Sequence, residues 1–327
     1  MPLIRTVLTV SLTLLILAAV CFVLAALAVF LVACRRRKGQ EEFKVNREIY
    51  EPFFPMMDEA KARFFAMEPE SVSLTSHDGL KLAAYVLPAE GKAKGTLVLM
   101  HGYRAQGCRD FSCVLPFYHA AGYHIVLPDQ RASGRSEGTY VTFGVKERHD
   151  CRLWAEYAAD RFGKELPLYL DGISMGAATV LYTLALPLPE NLAGVIADSG
   201  YTSPMAIIGK VAEGVLGCCP KMLLRLASVF AGFLAKFRFE ACNAPDILKE
   251  NTTVPILFAH GEKDTFVPVS MTLANYEAAA CEKQLILSPE ADHGLGYLTE
   301  KTRYEAEILA FFARTEAHRQ RFSEKNR

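Results

Sequence analysis

From Ser71 onward, short apolar runs alternate along the chain with longer segments of helical periodicity. Thr96–Met100 is a continuous apolar run, which is typical of a parallel strand that is buried on both faces. Val145–Phe162 has the length and pattern of a helix, and Leu168–Leu170 is the short apolar run that follows it. This alternation constrains the fold more than any other feature. It predicts an α/β architecture with a mostly parallel sheet and helices on both faces.

The same pattern marks the other predicted elements. The first two strands are joined through His77-Asp78-Gly79, a sequence that is typical of a hairpin turn. Further strands are predicted at Ser71–Thr75, Leu80–Leu87, His124–Leu127, Leu192–Ala197, Pro255–Ala259 and Gln284–Leu287. Further helices are predicted at Asp110–Ala121, Met175–Leu186, Val269–Ala280 and Thr302–Arg314.

Between Ser199 and Thr253 the alternation stops, and two helix-like segments take its place. They are Ser203–Glu213 and Lys221–Phe239, and a proline separates them. An insertion before the penultimate strand lies over the carboxyl edge of an open α/β sheet, where such sheets bind their ligands. We therefore expect residues 200–252 to form a short helical lid.

Thr6–Ala33 is a 28-residue run without a charged side chain. About 20 apolar residues cross a bilayer as a helix, so the run is long enough to span it with tilt. A signal peptide has a shorter apolar core of about 7–15 residues. Leu31-Val32-Ala33-Cys34 resembles a lipoprotein cleavage site, but basic residues follow it at once. We expect a retained transmembrane anchor, with a cleaved signal peptide and lipoprotein processing as the alternatives.

The charges beside this segment predict its orientation. Only Arg5 and the amino terminus precede it, whereas Arg35-Arg36-Arg37-Lys38 follows it directly. The positive-inside rule then places the rest of this single-pass chain in the cytoplasm. The predicted organisation is an anchor with its basic flank at 1–38, a juxtamembrane linker at 39–70, an α/β domain at 71–318 and a polar tail at 319–327.

Composition excludes several classes of partner and site. The 36 Lys and Arg side chains balance the 36 Asp and Glu side chains, so no net charge attracts nucleic acid. The nine cysteines are odd in number and lack metal-ligand spacing, so we expect buried, reduced thiols and no metal site. Asp129–Gly138 lacks the GK[ST] ending of a phosphate loop and is interpreted as a structural turn. No cofactor is expected.

Gly172-Ile173-Ser174-Met175-Gly176 lies between a predicted strand and a predicted helix. A GxSxG pentapeptide alone is weak evidence. In this context it predicts a sharp turn that lifts the Ser174 hydroxyl above the sheet edge, with glycines where a Cβ would strike neighbouring backbone. Ser174 is therefore the candidate nucleophile.

A serine hydroxyl needs a base that takes its proton during attack, and in this arrangement an acid and then a histidine follow the serine along the chain. The histidines after Ser174 are His260, His293 and His318. His318 lies in the polar tail, and His260 ends a strand, where we expect it to shape the turn. His293 follows the last short strand and is the candidate base.

The acid is expected in the loop after Pro255–Ala259, which offers Glu262 and Asp264. We predict Asp264, because a carboxylate at this place fixes the tautomer of His293 and stabilises the imidazolium that forms during attack. Asp198, at the end of the preceding strand, remains the alternative acid.

Negative charge then develops on the carbonyl oxygen of a substrate, and two aligned N–H groups are needed to hold it. The backbone N–H of Met175, directly after the nucleophile, is the first candidate donor. The second is the backbone N–H of Tyr103 in the loop after Thr96–Met100. His101, in the same loop, is expected to brace it.

Several motifs together resemble a known family. They are His101-Gly102, Asp129–Gly138, Gly172–Gly176, His260–Pro268 and Ala291–Gly294. In combination they look like bacterial α/β-hydrolases of the serine aminopeptidase and monoacylglycerol-lipase-like branch, and within it like membrane-anchored members with one N-terminal helix. The resemblance covers about Ser71–Phe312. It implies an eight-stranded sheet with one antiparallel strand and a triad of the three candidates Ser174, Asp264 and His293.

The residues and the resemblance predict a serine hydrolase that cleaves carboxylic esters through an acyl-enzyme on Ser174. The apolar lid and the anchor favour a small or lipid-like acyl substrate at the membrane. A peptidase or amidase is the first alternative. An exopeptidase needs a carboxylate near the mouth to hold the substrate amine, and Glu262 and Asp292 are the candidates for it. A non-catalytic scaffold on the same fold is the second alternative.

Overall fold

A computed structural model of the chain describes residues 2–36 and 47–325. Its centre is an eight-stranded β-sheet. The strands are β1 (Glu70–Thr75), β2 (Lys81–Leu87), β3 (Gly95–Met100), β4 (Tyr123–Asp129), β5 (Leu168–Ile173), β6 (Leu192–Asp198), β7 (Ile256–Gly261) and β8 (Lys283–Ser288). The helices are α1 (Pro2–Cys34), α2 (Arg47–Tyr50), α3 (Phe54–Ala66), α4 (Gly107–Asp110), α5 (Leu115–Ala120), α6 (Glu147–Phe162), α7 (Met175–Thr183), α8 (Pro204–Leu216), α9 (Lys221–Leu234), α10 (Ala244–Glu250), α11 (Val269–Ala278), α12 (Gly296–Thr299) and α13 (Lys301–Lys325).

The strands follow the order β1-β2-β4-β3-β5-β6-β7-β8 across the sheet. β2 runs antiparallel to its neighbours β1 and β4, and the other described pairings are parallel. Parallel neighbours need long crossover connections, and these put helices on both faces of the sheet. The predicted mostly parallel, eight-stranded sheet with one antiparallel strand is confirmed.

Two apolar layers cover the faces of this sheet. On one face α6 and α7 pack with Trp154 and Tyr182 buried, and on the other α5 and α13 pack with Tyr118 and Phe311 buried. The central strand β3 is buried along its whole length because both layers cover it. Its continuous apolar run has this physical cause.

Two predicted helices have different bounds. The segment 110–121 contains the end of α4 and all of α5 rather than one helix. Pro116 has no N–H to donate and therefore fits only the first turn of a new helix. The lid helix α9 ends at Leu234, before the predicted Phe239, because the chain turns at Lys236 with a left-handed φ of +57°.

The predicted juxtamembrane linker and polar tail are largely helical where they are described. Residues 37–46 and 326–327 lie outside the described residues. α2 and α3 cover most of the linker, and Phe64 of α3 is fully buried edge-on against Tyr85, with ring centroids 6.0 Å apart. α13 continues to Lys325, well beyond the predicted Arg314.

The N-terminal apolar run forms one 33-residue helix, α1. It is the one helix in the described part of the chain that is long and apolar enough to cross a membrane. Residues 2–25 are exposed throughout, whereas Ala26, Phe30 and Cys34 are fully buried. These three lie four residues apart and share one face of the helix. That face packs along the lid helix α9 and against Tyr140, whose ring centroid is 5.2 Å from that of Phe30.

The chain directly after α1 is also bound to the domain. Arg36 donates its backbone N–H to the carbonyl of Thr139 at 2.8 Å, and Val141 donates to the carbonyl of Cys34 at 2.7 Å. The Arg36 guanidinium donates to two carbonyls of the Asp129–Gly138 loop at 2.6 Å each. A helix of this length is about 50 Å long, whereas the hydrocarbon core of a bilayer is about 30 Å thick. About 20 Å of the helix therefore remains outside such a core and is available to pack on the domain. The sequence did not predict this docking.

Phe30→Ala is expected to lower the free energy of unfolding by about 3 kcal/mol, because it empties the place of a fully buried ring. Phe22→Ala is the matched control, since Phe22 lies on the same helix and is 41% exposed. Chemical denaturation of both full-length variants in one detergent measures the difference. Equal stabilities would show that α1 does not dock on the domain.

Candidate active site

Ser174 lies on the sharp turn between β5 and α7. Its backbone is left-handed, with φ +58° and ψ −114°, which is strained for a residue that carries a side chain. The Ser174 N–H donates to the carbonyl of Asp198 at 2.8 Å and holds the turn against β6. The hydroxyl is therefore fixed at the carboxyl end of β5, where the pentapeptide predicted it.

The two glycines of this turn have no room for a side chain. A Cβ at Gly172 would overlap the backbone carbonyl of Gly176, and a Cβ at Gly176 would overlap the backbone carbonyl of Met100. Backbone atoms cannot swing aside as the end of a flexible side chain does. Any side chain here would therefore push α7 away from the strands that it covers.

Three side chains from separate loops meet at this turn. Oγ of Ser174 lies 2.8 Å from Nε2 of His293, and Nδ1 of His293 lies 2.7 Å from Oδ2 of Asp264. Asp264 follows β7 and His293 follows β8, and these strands are parallel neighbours, so their loops share one edge of the sheet. A hydroxyl, an imidazole and a carboxylate within hydrogen-bond reach form the arrangement of an activated nucleophile.

The other residues weighed from the sequence lie differently. Glu262 is exposed to solvent. Asp198 is buried close to the turn, and its Oδ1 accepts a hydrogen bond from the hydroxyl of Ser199 at 2.8 Å. The backbone of His318 lies in α13. Asp264 is therefore the carboxylate that the structure brings to the histidine.

The Asp264 carboxylate is fully shielded from solvent. Oδ1 accepts backbone N–H groups of Phe266 at 2.9 Å and Val267 at 2.7 Å, and Oδ2 lies 3.0 Å from Nε2 of His260. Burial alone would raise the pKa of the Asp264 carboxyl, but hydrogen bonds from His260 and His293 outweigh it and hold that pKa well below its usual range. The group is therefore a carboxylate at neutral pH.

His260 has a place that the sequence analysis missed. It is fully buried, its Nδ1 lies 2.7 Å from the hydroxyl of Thr272, and its Nε2 lies 2.9 Å from the carbonyl of Val267. Its ring therefore supports the loop that holds Asp264, besides contacting the carboxylate itself. The signal in the sequence is the four-residue spacing from a strand-end histidine to the acid, which does not reveal the contact by itself.

The loop of His293 is fixed by its own contacts. Asp292 accepts the backbone N–H of His293 at 2.6 Å and that of Thr265 at 3.1 Å, and Tyr50 donates its hydroxyl to the carbonyl of His293. Burial would lower the pKa of the His293 imidazole, but the hydrogen bond to Asp264 and its negative charge outweigh this, so the pKa lies above its usual value.

His101 braces the loop after β3, as predicted. It is fully buried, its Nε2 accepts the backbone N–H of Gln130 at 2.9 Å, and its Nδ1 therefore donates to the carbonyl of Gly102 at 2.7 Å. The Gly102 N–H donates to Oδ2 of Asp110 at 2.7 Å. These bonds set the path of the backbone into Tyr103.

The two predicted oxyanion donors belong to residues near Ser174. Met175 is the first residue of α7, and an N–H in the first turn of a helix has no acceptor within that helix. Tyr103 follows the braced Gly102, and its ring lines the same cavities as Ser174. The alignment of both N–H groups on a substrate oxygen stays a prediction.

Two cavities meet at Ser174 within the described residues. One, of about 150 Å³, is a cleft that contains Asp110, Asp198 and Tyr50. The other, of about 480 Å³, lies between α1 and the lid helix α8 and is almost wholly apolar. Ser174 therefore lines both the apolar groove and this smaller cleft, which is named the polar cleft for its two carboxyls although most of its lining is apolar.

The carboxylates of the polar cleft differ from those expected for an amine site. Glu262 is exposed, and Asp292 is engaged with the backbone of the His293 loop, so neither lines the cleft. Asp110 and Asp198 line it instead. Burial raises the pKa of both carboxyls and so favours their neutral form.

Metal and thiol chemistry have no assembled site in the described part of the chain. No group of three or more His, Cys, Asp or Glu side chains is arranged there to hold a metal ion. All nine cysteines are described, and all nine are free thiols.

Gly176→Ala is expected to destabilise the fold by about 3 kcal/mol or more, because the new methyl overlaps backbone of β3. Gly214→Ala in α8 is the control. A Cβ there meets nothing within 4 Å, and alanine favours a helix by about 0.5–1 kcal/mol over glycine. Thermal unfolding of the two full-length variants is the measurement. A Gly176→Ala protein as stable as the parent would contradict the packing described for this turn.

Comparison with known proteins agrees with the fold. Residues 91–241 match the family described as serine aminopeptidase, S33. The caffeoylshikimate esterase of Arabidopsis thaliana is 25% identical over 248 residues, which are 64% of this chain and 74% of the esterase. The lysophosphatidylserine lipase ABHD12 of Danio rerio is 30% identical over 175 residues, which are 50% of this chain and 41% of the lipase.

Solved structures show the same architecture. The Pyrococcus furiosus esterase Pf2001 has a TM-score of 0.60 and 22% identity, over 76% of this chain and 94% of the esterase. At that identity the likeness establishes the fold. Together with the strand order and the strained serine turn, it shows that the chain has the α/β-hydrolase fold that the motifs predicted, and residues 91–241 are similar to the serine aminopeptidase family within that fold.

Proposed function

We propose that the chain is a serine hydrolase that cleaves carboxylic esters through an acyl-enzyme on Ser174. The observation that supports this most is the unbroken path from Oγ of Ser174 through the ring of His293 to Asp264, with contacts of 2.8 and 2.7 Å. Without such a path a serine hydroxyl is a poor nucleophile, because no group takes its proton.

The reaction then runs in two halves. His293 takes the Ser174 proton on Nε2 as Oγ attacks the ester carbonyl carbon, and the imidazolium gives that proton to the departing alcohol oxygen. Water attacks the acyl-enzyme in the same way and releases the acid. Asp264 accepts from Nδ1 throughout, which keeps Nε2 free to take the proton and stabilises the imidazolium.

The negative charge of each tetrahedral intermediate falls on the former carbonyl oxygen. The N–H of Met175 and the N–H of Tyr103 are the donors that we assign to it. Fixed donors of this kind contribute about 3–4 kcal/mol each to lowering the barrier. The braced loop around His101 supports the second assignment, because it fixes the backbone path into Tyr103.

A peptidase or amidase is the second candidate, and the specific observation in its favour is the pair of carboxyls in the polar cleft. An ionised carboxylate there would hold a substrate ammonium group. Burial raises the pKa of Asp110 and Asp198, however, and so weakens their charge. The similarity to a caffeoylshikimate esterase also favours the first candidate.

Ser174→Ala is expected to abolish labelling by a fluorophosphonate probe and to lower kcat for p-nitrophenyl butyrate by about 10⁴-fold or more. Ser270→Ala is the control, because Ser270 is an exposed serine on α11. Equal labelling of the parent and Ser174→Ala would refute the nucleophile. Faster cleavage of aminoacyl p-nitroanilides than of the ester by the parent would favour the peptidase.

The pH profile tests the roles of His293 and Asp264. His293 must be neutral to take a proton, so kcat/KM should fall tenfold per pH unit below its pKa. Because that pKa is raised, the acid limb should lie above the usual histidine value of about 6.5.

Asp264→Asn removes the charge that raises the pKa of His293. The acid limb should therefore move to lower pH, and kcat should fall by about 10⁴-fold. Glu262→Gln is the control, because Glu262 is an exposed acid in the same loop. It should leave the acid limb and kcat unchanged. An acid limb that stays in place in Asp264→Asn would contradict the pairing.

We further propose that α1 is retained as a single-pass anchor with the domain on the cytoplasmic side. Cleavage at Cys34 would remove Phe30 and Ala26 from the core, so the docked face supports retention. The basic residues after the helix support the orientation. Protease added outside intact cells is expected to leave the domain uncut. Cleavage of the domain in cells that have not lysed would show that it lies on the outer side of the membrane.

A further inference from the structure

The apolar groove at Ser174 has the anchor helix as one of its walls. Ala28 and Val32 of α1 line it together with Ile208 and Val211 of the lid helix α8, and Ser174 is one of its lining residues. At about 480 Å³ this groove is the roomier of the two cavities that reach the nucleophile. An apolar space of this shape suits a hydrocarbon chain attached to a carbonyl at Ser174.

Hydrogen bonds attach this wall to the catalytic loop. The hydroxyl of Tyr103 donates to the carbonyl of Ala33 at 2.5 Å, and the guanidinium of Arg104 donates to the carbonyls of Val32 at 2.7 Å and Arg35 at 2.9 Å. The last carbonyls of a helix have no partner within it, so these bonds satisfy groups that α1 cannot satisfy itself. Arg104 is the one charged side chain among the described residues that line the groove, and its guanidinium is bonded to these backbone carbonyls.

The outer end of the groove continues into an exposed apolar surface. Val215 and Leu216 at the end of α8 are 78% and 54% exposed, and Met222 and Phe233 of α9 are 75% and 72% exposed. Residues 2–25 of α1, which are mostly apolar, are exposed as well. Contiguous apolar side chains of this kind belong at the boundary between lipid headgroups and acyl chains.

We propose that the groove between α1 and α8 is an acyl-chain site that opens to the bilayer, and that its occupant is the chain of a single-chain lipid ester. The inference rests on the proposed function and names its substrate class. The anchor fixes the membrane on the side where the groove opens, which favours a lipid over a soluble ligand. The polar cleft on the other side of Ser174 takes the alcohol part.

The chemistry follows the esterase reaction. Oγ of Ser174 bonds to the ester carbonyl carbon, and the bond from that carbon to the alcohol oxygen breaks. His293 gives the alcohol its proton, so the alcohol leaves through the polar cleft. Water then supplies the oxygen and proton that release the fatty acid, whose chain lies between α1 and α8.

The test uses the full chain in phosphatidylcholine vesicles with 4-methylumbelliferyl butanoate and dodecanoate as substrates. When kcat/KM is referred to the aqueous substrate concentration, each methylene that moves from water into the groove raises it about fourfold, so the dodecanoate-to-butanoate ratio of the parent should exceed about 100. Ala28→Trp and Ala212→Trp fill the groove from its two walls and should lower that ratio at least about tenfold. Leu17→Trp, an exposed site on α1 outside the groove, should leave the ratio unchanged.

The outcomes separate the two levels of the proposal. An unchanged ratio in both groove variants overturns the acyl-chain site, while fluorophosphonate labelling of Ser174 still upholds the hydrolase. If the parent takes no label and cleaves neither ester, the proposed function fails and the acyl-chain site fails with it.

At fixed bulk dodecanoate, added empty vesicles should lower the rate, because the substrate is diluted within the bilayer. A rate that follows the bulk concentration alone overturns entry from the membrane.

Discussion

The solvation of one carboxylate governs the geometry of this site. The side chain of Asp264 has no exposed surface, and an isolated charge so placed would be very costly. It stays ionised because two backbone amides and two imidazoles surround it. Those donors belong to the loop after β7, to the end of β7 itself and to the loop after β8. The charge is therefore stable only when β7 and β8 pair in register, and the position of His293 depends on the sheet as a whole.

The sequence reveals the parts of the site that local backbone geometry imposes. Gly172 and Gly176 are glycines because backbone carbonyl groups occupy the space of any Cβ. This steric constraint can therefore be recognised from the residue type alone. Asp264 and His293 are found because parallel strands deliver their following loops to one edge. The number of strands, with one of them antiparallel, came from the resemblance, and the order of the strands across the sheet was not predicted. The predicted end of the lid helix at Phe239 and the single helix over 110–121 were wrong, since helix ends depend on turns that tertiary packing selects.

Contacts between distant segments were not predictable in the same way. The docked face of α1 has no signature, because every residue around it is apolar and Ala26, Phe30 and Cys34 do not stand out from their neighbours. His260 looks like any strand-end histidine until the fold places it against Asp264. Asp110 lies in a segment whose pattern predicts a helix. The loop after β3 holds its carboxylate through the Gly102 N–H, and Asp110 then lines the same cleft as Ser174. The partners of the end of α1 lie about a hundred residues away along the chain, whereas His260 and Asp264 are only four residues apart and the fold alone brings their side chains together.

The hydrogen bonds at the end of α1 have a mechanical consequence. A flexible tether would let the domain float at variable distance from the lipid, but here the last turn is joined to the residues around Tyr103 and Thr139. With α1 anchored in a bilayer as proposed, the structure of the protein therefore sets the distance of the nucleophile from the membrane. A thinner or thicker bilayer changes the tilt of a spanning helix. Because α1 and the domain are joined by these bonds, such a change in tilt would reorient the whole catalytic domain relative to the membrane surface.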